Sequence, residues 1–255
     1  MNRINKLDGL RGLFALFVVL FHFNKHNAPQ FIVDNFFVRE SYIFVDFFFI
    51  LSGYVITLTY NERLNTSADF LTFIKKRFIR LYPLLLFSTL MYWGFVHPHF
   101  NSQNIWLAVD TLLLTNATPI LGSGIGMNYP SWSISSEMIS YLLFGLSSII
   151  AIQKRKPVLL VILTIGSFIF LSTQQNYFQT GSFGFLRGLA CFNLGYFIYL
   201  MAAKKLQLPN QLEWFVFIGI IALMYYHYTA TLENPIGIIL LQFLIPFAFA
   251  TSILI

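Results

Sequence analysis

The chain has 255 residues, of which 57% are hydrophobic and only 10% are charged, and its mean hydropathy is +0.69. A soluble domain carries about 25% charged residues, so this composition excludes an ordinary water-soluble protein. The net charge of +6 does not indicate nucleic-acid binding, because the basic residues form short clusters between apolar runs. A single cysteine, Cys191, excludes an internal disulfide and provides no metal-ligand spacing. We therefore predict an integral membrane protein that binds neither nucleic acid nor a metal ion.

Apolar runs long enough to cross a bilayer as helices recur along the whole chain. They occur at about 10–25, 41–60, 81–97, 105–120, 133–152, 157–173, 183–203 and 212–230, and a final run extends from Pro235 to Ile255. This pattern predicts an all-α, polytopic transmembrane bundle of about eight or nine hydrophobic segments in one domain, residues 1–255. No polar residues follow the last run, so we expect a product or fragment that is truncated at its C-terminus.

Lysine and arginine residues predict how these segments are oriented. Four clusters flank the runs: Arg3, Lys6 and Arg11; Lys75, Lys76, Arg77 and Arg80; Lys154, Arg155 and Lys156; and Lys204 with Lys205. The positive-inside rule places all four clusters, and with them the N-terminus, in the cytoplasm. If 105–120 crossed the bilayer completely, the third cluster would lie outside. We therefore interpret 105–120 as a re-entrant or interfacial segment.

The first run contains two ionisable residues, Arg11 and His22. Eleven positions correspond to three helical turns plus about 20°, so the two residues share one helix face about 16 Å apart. If Arg11 lies at the cytoplasmic interface, His22 lies near or just beyond mid-membrane, where ionisable groups indicate function. Arg11 could instead be an anchor that extends to the interface, and His22 could be an interfacial or packing histidine.

The second run contains Asp46, about five residues from its outer end. This depth is close to that predicted for His22 on the neighbouring antiparallel helix. A carboxylate beside an imidazole orients it and raises its basicity, which is the arrangement of base and orienting residue used in acyl transfer. The alternative is an aspartate in the first turn of a helix, where it stabilises the helix dipole.

Arg77 and Arg80 precede the third run and are spaced i, i+3, so they face the same way on the cytoplasmic side. Two guanidinium groups with neighbouring ammonium groups suit a phosphate-bearing ligand. The alternative is a basic anchor that binds lipid head groups.

The fifth run opens with SWSISSE, and the seventh contains FLRGLACF near its start. We interpret Trp132 as an interface anchor that could also contact substrate. Glu137 lies about one turn inside an apolar helix, where it either orients a substrate hydroxyl group or pairs with Arg187. The histidines that remain lie in loops or at the ends of runs and are left unassigned: His26, His97, His99 and His227.

Taken in order, these segments resemble the acyltransferase-3 family, whose members are membrane O-acyltransferases that modify surface polysaccharides and related acceptors. The motifs that carry the resemblance are LDGLRGLFALFVVLFH, FVDFFFILSGYVI, RFIRLYP, SWSISSE and FLRGLACFNLG, which together cover about residues 6–200. The family usually has around ten spans and a late Ser-Tyr-x-x-Tyr-x-x-His-type motif that this sequence lacks.

The resemblance implies a protein of a bacterial inner membrane with no permanently bound cofactor. Its donor would be cytosolic acyl-CoA, with acetyl-CoA expected, and its acceptor a carbohydrate or glycolipid hydroxyl group outside. Arg11, Arg77 and Arg80 would bind the CoA phosphates. His22 would act as general base or briefly carry the acyl group, and both routes stay open. The alternatives are a transporter or flippase, which would have pseudo-symmetric halves, and a non-catalytic membrane scaffold.

Overall fold

The computed structural model describes residues 5–23, 29–96, 99–150, 156–174, 176–204, 212–229 and 235–254. Within these residues the secondary structure is helical and no strand occurs, which confirms the all-α prediction. Four members of the predicted cytoplasmic clusters lie outside the described residues: Arg3, Lys154, Arg155 and Lys205.

The described residues form eleven α-helices and two 3₁₀ turns. The helices are α1 (Asn5–Phe21), α2 (Gln30–Val33), α3 (Phe36–Arg39), α4 (Phe44–Tyr60), α5 (Ser67–Val96), α6 (Ser102–Leu112), α7 (Trp132–Ile150), α8 (Lys156–Ser172), α9 (Gly184–Ala203), α10 (Leu212–Thr229) and α11 (Pro235–Leu254). The 3₁₀ turns, Ser41–Ile43 and Tyr129–Ser131, lead directly into α4 and α7.

Three helical segments among the described residues are long and apolar enough to cross a bilayer. They are Ser41–Tyr60, Ser67–Val96 and Gly184–Ala203. Three shorter apolar helices accompany them: Lys156–Ser172, Trp214–Thr229 and Gln242–Leu254. The predicted total of eight or nine membrane segments therefore stays a prediction.

Helix α5 has 30 residues and begins at Ser67, well before the apolar run predicted at 81–97. Its start is capped reciprocally, because Asp69 N–H donates to the Thr66 hydroxyl group while Thr66 N–H donates to the Asp69 carboxylate, at 3.2 and 3.0 Å. This arrangement is a capping box with aspartate in place of glutamate. The cap fixes the start of α5 before KKRFIR, so Arg77 and Arg80 lie within the helix.

Helix α6 is much shorter than the run predicted at 105–120, since it ends at Leu112 after eleven residues. Eleven helical residues rise about 16 Å, roughly half of the hydrocarbon thickness. Buried polar groups follow it: Asn116 donates to the Ile125 carbonyl and to the Ser131 hydroxyl group, both at 2.9 Å. The short helix and the polar, internally hydrogen-bonded segment that follows it support the interpretation of 105–120 as re-entrant or interfacial.

The chain divides into two compact units, Met1–Tyr54 with Leu194–Ile255, and Val55–Asn193. In the first unit, Phe14 of α1 stacks on Phe44 of α4 with ring centroids 4.0 Å apart. Helix α9 also contacts α4 there, because a Cβ atom on Gly195 would lie only 2.0 Å from the Ile50 carbonyl oxygen. Glycine therefore allows the two backbones to approach closely.

In the second unit, α5 packs on α7 at another glycine. A Cβ atom on Gly145 would lie 2.6 Å from the ring of Phe70. Phe73, one turn further along α5, is buried against Tyr141 and Phe144 of α7, with ring centroids 5.9 and 6.5 Å away. This aromatic contact between α5 and α7 lies beside several of the polar residues considered below.

Candidate functional site

His22 directly follows the last residue of α1, which ends at Phe21 and does not continue to residue 25 as predicted. Its Nδ1 lies 2.8 Å from the Val18 carbonyl oxygen, and its backbone N–H bonds to Val19 at 3.1 Å. The side chain thus satisfies one of the carbonyl groups that a helix C-terminus leaves without a backbone donor. His22 is consequently an exposed, helix-ending residue and not one buried within a longer helix.

The bond to Val18 has a chemical consequence for the His22 ring. A carbonyl oxygen only accepts hydrogen bonds, so Nδ1 must carry the proton. In the neutral imidazole the lone pair then resides on Nε2. Residue Val18 therefore selects the tautomer in which Nε2 can accept a proton.

Asp46 is the third residue of α4 and is completely buried, with no exposed surface. A carboxylate in the first turn of a helix interacts favourably with the helix dipole, which is the structural alternative noted above. The orienting role predicted for Asp46 stays a prediction. Arg11, in the same unit, lies exposed on α1.

Arg77 and Arg80 differ in their surroundings, although their spacing predicts a shared face. Arg77 is half-buried, and its Nη2 donates to the Tyr60 hydroxyl group at 3.1 Å. Its guanidinium carbon lies 5.4 and 5.9 Å from the ring centroids of Tyr60 and Phe73. Arg80 is exposed. Positions i and i+3 are offset by about 60° around a helix, so Arg77 can contact Tyr60 while Arg80 is exposed.

Glu137 of α7 accepts a hydrogen bond from the hydroxyl group of Tyr141, one turn later in the same helix. Tyr141 is buried, and its ring contacts Phe73 edge to face. Arg77 also lies over Phe73. Glu137 and Arg77 are therefore connected through one pair of aromatic rings in the second unit.

Arg187 of α9 and Trp132 of α7 lie close together, and their role in substrate contact stays a prediction. The Arg187 guanidinium is completely buried and lies 4.8 Å from the ring centroid of Phe178, 5.4 Å from Trp132 and 5.9 Å from Tyr177. Aromatic faces stabilise a buried cation through their quadrupoles. Trp132 is itself buried against Gly184, so it packs inside the unit and does not face outward as an interface anchor would.

Two serine hydroxyl groups of SWSISSE, those of Ser131 and Ser135, lie in a buried polar cluster. Ser135 donates to the amide oxygen of Asn116, whose nitrogen donates to Ser131. Gly126, with φ 78°, packs closely against Thr111 of α6. A Cβ atom added to Gly126 would lie 2.3 Å from the Thr111 hydroxyl oxygen. These contacts give Ser131 and Ser135 a structural role beside the segment that follows α6.

One buried polar cluster in the first unit escaped the sequence reasoning. His227 Nδ1, in the last turn of α10, lies 2.9 Å from a carboxylate oxygen of Glu40, and Gln242 of α11 lies 3.2 Å from His227 Nε2. Tyr42 donates to the same oxygen of Glu40 at 3.1 Å. His227 was visible as a histidine at the end of an apolar run, but its partner is 187 positions away in the sequence.

Comparisons relate the chain to one protein family and to two curated proteins. The model of the acyltransferase-3 family, described as an acyltransferase domain, matches residues 4–255. Over 157 residues the chain is 30% identical to the acyltransferase MdmB of Streptomyces mycarofaciens, covering 56% of this chain and 39% of that protein. It is 29% identical over 157 residues to protein 2 in the picA locus of Rhizobium radiobacter, covering 52% of this chain and 76% of that protein. No solved structure matches the chain.

Proposed function

The chain belongs to the acyltransferase-3 family, and on that premise we propose that it is a membrane O-acyltransferase. It transfers an acyl group, expected to be acetyl, from cytosolic acyl-CoA to a hydroxyl group of a carbohydrate or glycolipid acceptor outside the membrane. The apolar helices support a membrane location. The basic clusters support a cytoplasmic N-terminus, and the family resemblance supports a bacterial inner membrane.

The observation that carries the proposal is the environment of His22. An acyl transfer to an alcohol needs a base that can take the hydroxyl proton. The ring of His22 is exposed, and the Val18 carbonyl selects the tautomer whose Nε2 accepts that proton. Asp46 stays a candidate for stabilising the imidazolium that forms.

The proposed reaction balances without a permanently bound cofactor. His22 Nε2 takes the acceptor hydroxyl proton while the oxygen attacks the thioester carbonyl carbon. The carbon–sulfur bond then breaks, and the CoA thiolate leaves and receives the proton from the imidazolium. The products are an ester and the free thiol of CoA. General-base catalysis of this kind contributes about 10²- to 10⁴-fold in rate.

The second unit supplies residues suited to the donor and to a substrate hydroxyl group. Arg77 and Arg80 provide guanidinium groups that match phosphate oxygens. Glu137, already accepting one hydroxyl hydrogen bond from Tyr141, is suited to accept another from a substrate. Arg187 and Trp132 are buried together, so we propose that they support the substrate region through packing and charge.

The test is mass spectrometry of surface glycans from cells with and without the gene, complemented with wild type, His22→Ala or His99→Ala. His99 is an exposed histidine before α6 and serves as the matched control. We expect acetyl groups to disappear on deletion and to return with wild type and His99→Ala only. Unchanged glycans after deletion would overturn the acceptor class, and full restoration by His22→Ala would overturn its role as base.

A further inference from the structure

Two cations of the second unit meet consecutive residues at the end of α4. Arg77 of α5 donates to the Tyr60 hydroxyl group at 3.1 Å, and Lys156 of α8 donates to the Asn61 amide oxygen at 3.2 Å. Residues 60 and 61 are the last residue of α4 and the one after it. The contacts therefore bring a guanidinium and an ammonium group to one helix end.

The same two cations lie over neighbouring rings of the aromatic contact between α5 and α7. Lys156 Nζ is 4.0 Å from the ring centroid of Phe144, and the guanidinium carbon of Arg77 is 5.9 Å from that of Phe73. The two rings are themselves 6.5 Å apart. One aromatic platform, Phe73 and Phe144, thus supports both positive charges.

Arg77 retains donor capacity and charge at this position. Its Nε is buried and has no hydrogen-bond partner among the described residues. In the same part of the chain its contacts are the neutral side chains of Tyr60 and Phe73, and no described carboxylate forms an ion pair with it. A partly buried guanidinium held by neutral groups is costly unless an anion completes its environment.

Lys156 was predicted to belong to a basic cytoplasmic cluster, and in the structure it is buried, at 5% exposed. Cations near a helix C-terminus are favourable by themselves, at about 0.3–1 kcal/mol, so a purely structural role at the end of α4 is the main alternative. That role would not need Arg77 and Lys156 to share one platform. A guanidinium fork beside a compact ammonium group matches a phosphate group or a pair of linked phosphates.

We infer that Lys156 and Arg77 form a two-cation site that binds a phosphate group of the acyl-CoA donor. This inference rests on the proposed function and adds a residue from α8 to the arginines of α5. The rings of Phe73 and Phe144 hold the two cations, and the Tyr60 and Asn61 side chains orient them toward the anion.

The test measures binding of CoA and of pantetheine, which lacks the phosphates, to the detergent-purified full chain by calorimetry. The variants are Lys156→Gln, Arg77→Gln and the control Lys204→Gln, which neutralises an exposed lysine after α9. We expect Lys156→Gln and Arg77→Gln each to weaken CoA binding about 10- to 100-fold, the range for a hydrogen bond to a charged group. Pantetheine binding should change less than twofold, and Lys204→Gln should match wild type.

Further arms separate a folding defect, a lipid site and the donor site. Lys156→Arg keeps the positive charge and should retain CoA affinity within about threefold, with an unchanged melting temperature. Binding to nanodiscs of phosphatidylglycerol tests a lipid head group as the source of the phosphate, and a loss confined to those nanodiscs would overturn the donor assignment. Wild-type CoA affinity in Lys156→Gln would overturn the inference. If Arg77→Gln still weakens CoA binding in that case, the proposed function remains intact. Absence of CoA binding in the wild type would instead overturn the proposed function.

Discussion

Two histidines at helix ends in the first unit have opposite environments. His22 follows α1, is exposed, and directs Nδ1 to the Val18 carbonyl. His227 lies in the last turn of α10 with a side chain that is 11% exposed, and both of its ring nitrogens contact buried polar partners, Glu40 and Gln242. A ring held at both nitrogens links helices together, whereas an exposed ring with a selected tautomer suits proton transfer. The contrast shows that position at the end of an apolar run does not by itself identify a catalytic histidine.

The largest expected effect separates these two histidines by activity. His22→Ala should reduce acetyl transfer by at least about 10²-fold, the low end for loss of a general base. His227→Ala should keep turnover per folded molecule within about fivefold, since its nitrogens are engaged in structural contacts. Acetyl transfer in membrane vesicles, normalised to the folded protein measured by fluorescence size-exclusion chromatography, checks both. Equal losses of acetyl transfer in the two variants would contradict the functional distinction between His22 and His227.

The next effect concerns whether His22 relies on a carboxylate as His227 does. If Asp46 stabilises the imidazolium of His22, Asp46→Asn should lower kcat about 10²-fold without changing CoA binding. The double variant with His22→Ala should then be no slower than His22→Ala alone. If the Val18 carbonyl alone orients the ring and Asp46 is a first-turn carboxylate, kcat should stay within twofold of wild type. Single-turnover rates decide between the two outcomes.

A smaller effect on stability should come from Glu40. Glu40→Gln leaves the shape of the cluster with His227 and Tyr42 but removes its charge-assisted hydrogen bonds, so we expect unfolding to become easier by about 2 kcal/mol. Thermal melting of the purified protein measures the change. Glu62→Gln provides the control, because Glu62 is exposed. A melting temperature equal to that of wild type would show that the cluster contributes nothing to the fold.

The smallest effect on activity should come from cysteines that report the side of the membrane. In a Cys191→Ser background, Thr229→Cys at the end of α10 should react with a membrane-impermeant thiol reagent added outside. Ala203→Cys at the end of α9 should not, because Lys204 follows it and basic residues favour the cytoplasm. Both positions are exposed. The reverse pattern would place His227, and the end of α10, in the cytoplasm.

Several elements were predictable because they depend on local composition. The run predicted at 133–152 corresponds to α7, and the run at 183–203 to α9, since each is a continuous apolar stretch with the length of a span. The length of α5 was underestimated because its first turns carry polar residues, which a search for apolar runs leaves out. Helix α6 was overestimated in extent because an apolar run continues past the point where Leu112 ends the helix.

Most features of the candidate site that the sequence did not predict depend on contacts between residues distant in the chain. The spacing of Arg77 and Arg80 predicted a common face, but only Tyr60, seventeen positions earlier, decided which guanidinium would be held. Lys156 belonged to a basic cluster by composition and became part of a candidate anion site through Asn61.

The sequence by itself determined that the chain is an all-α, apolar protein with polar motifs in the order of the acyltransferase-3 family. It could do so because hydrophobicity, helical spacing and motif order are properties of neighbouring residues. Only the tertiary structure decided which ionisable groups are buried and which partners Arg77, Lys156 and His227 meet. Those outcomes depend on contacts between residues 17 to 187 positions apart in the chain. The free energy of a buried charge is set by what the fold places beside it.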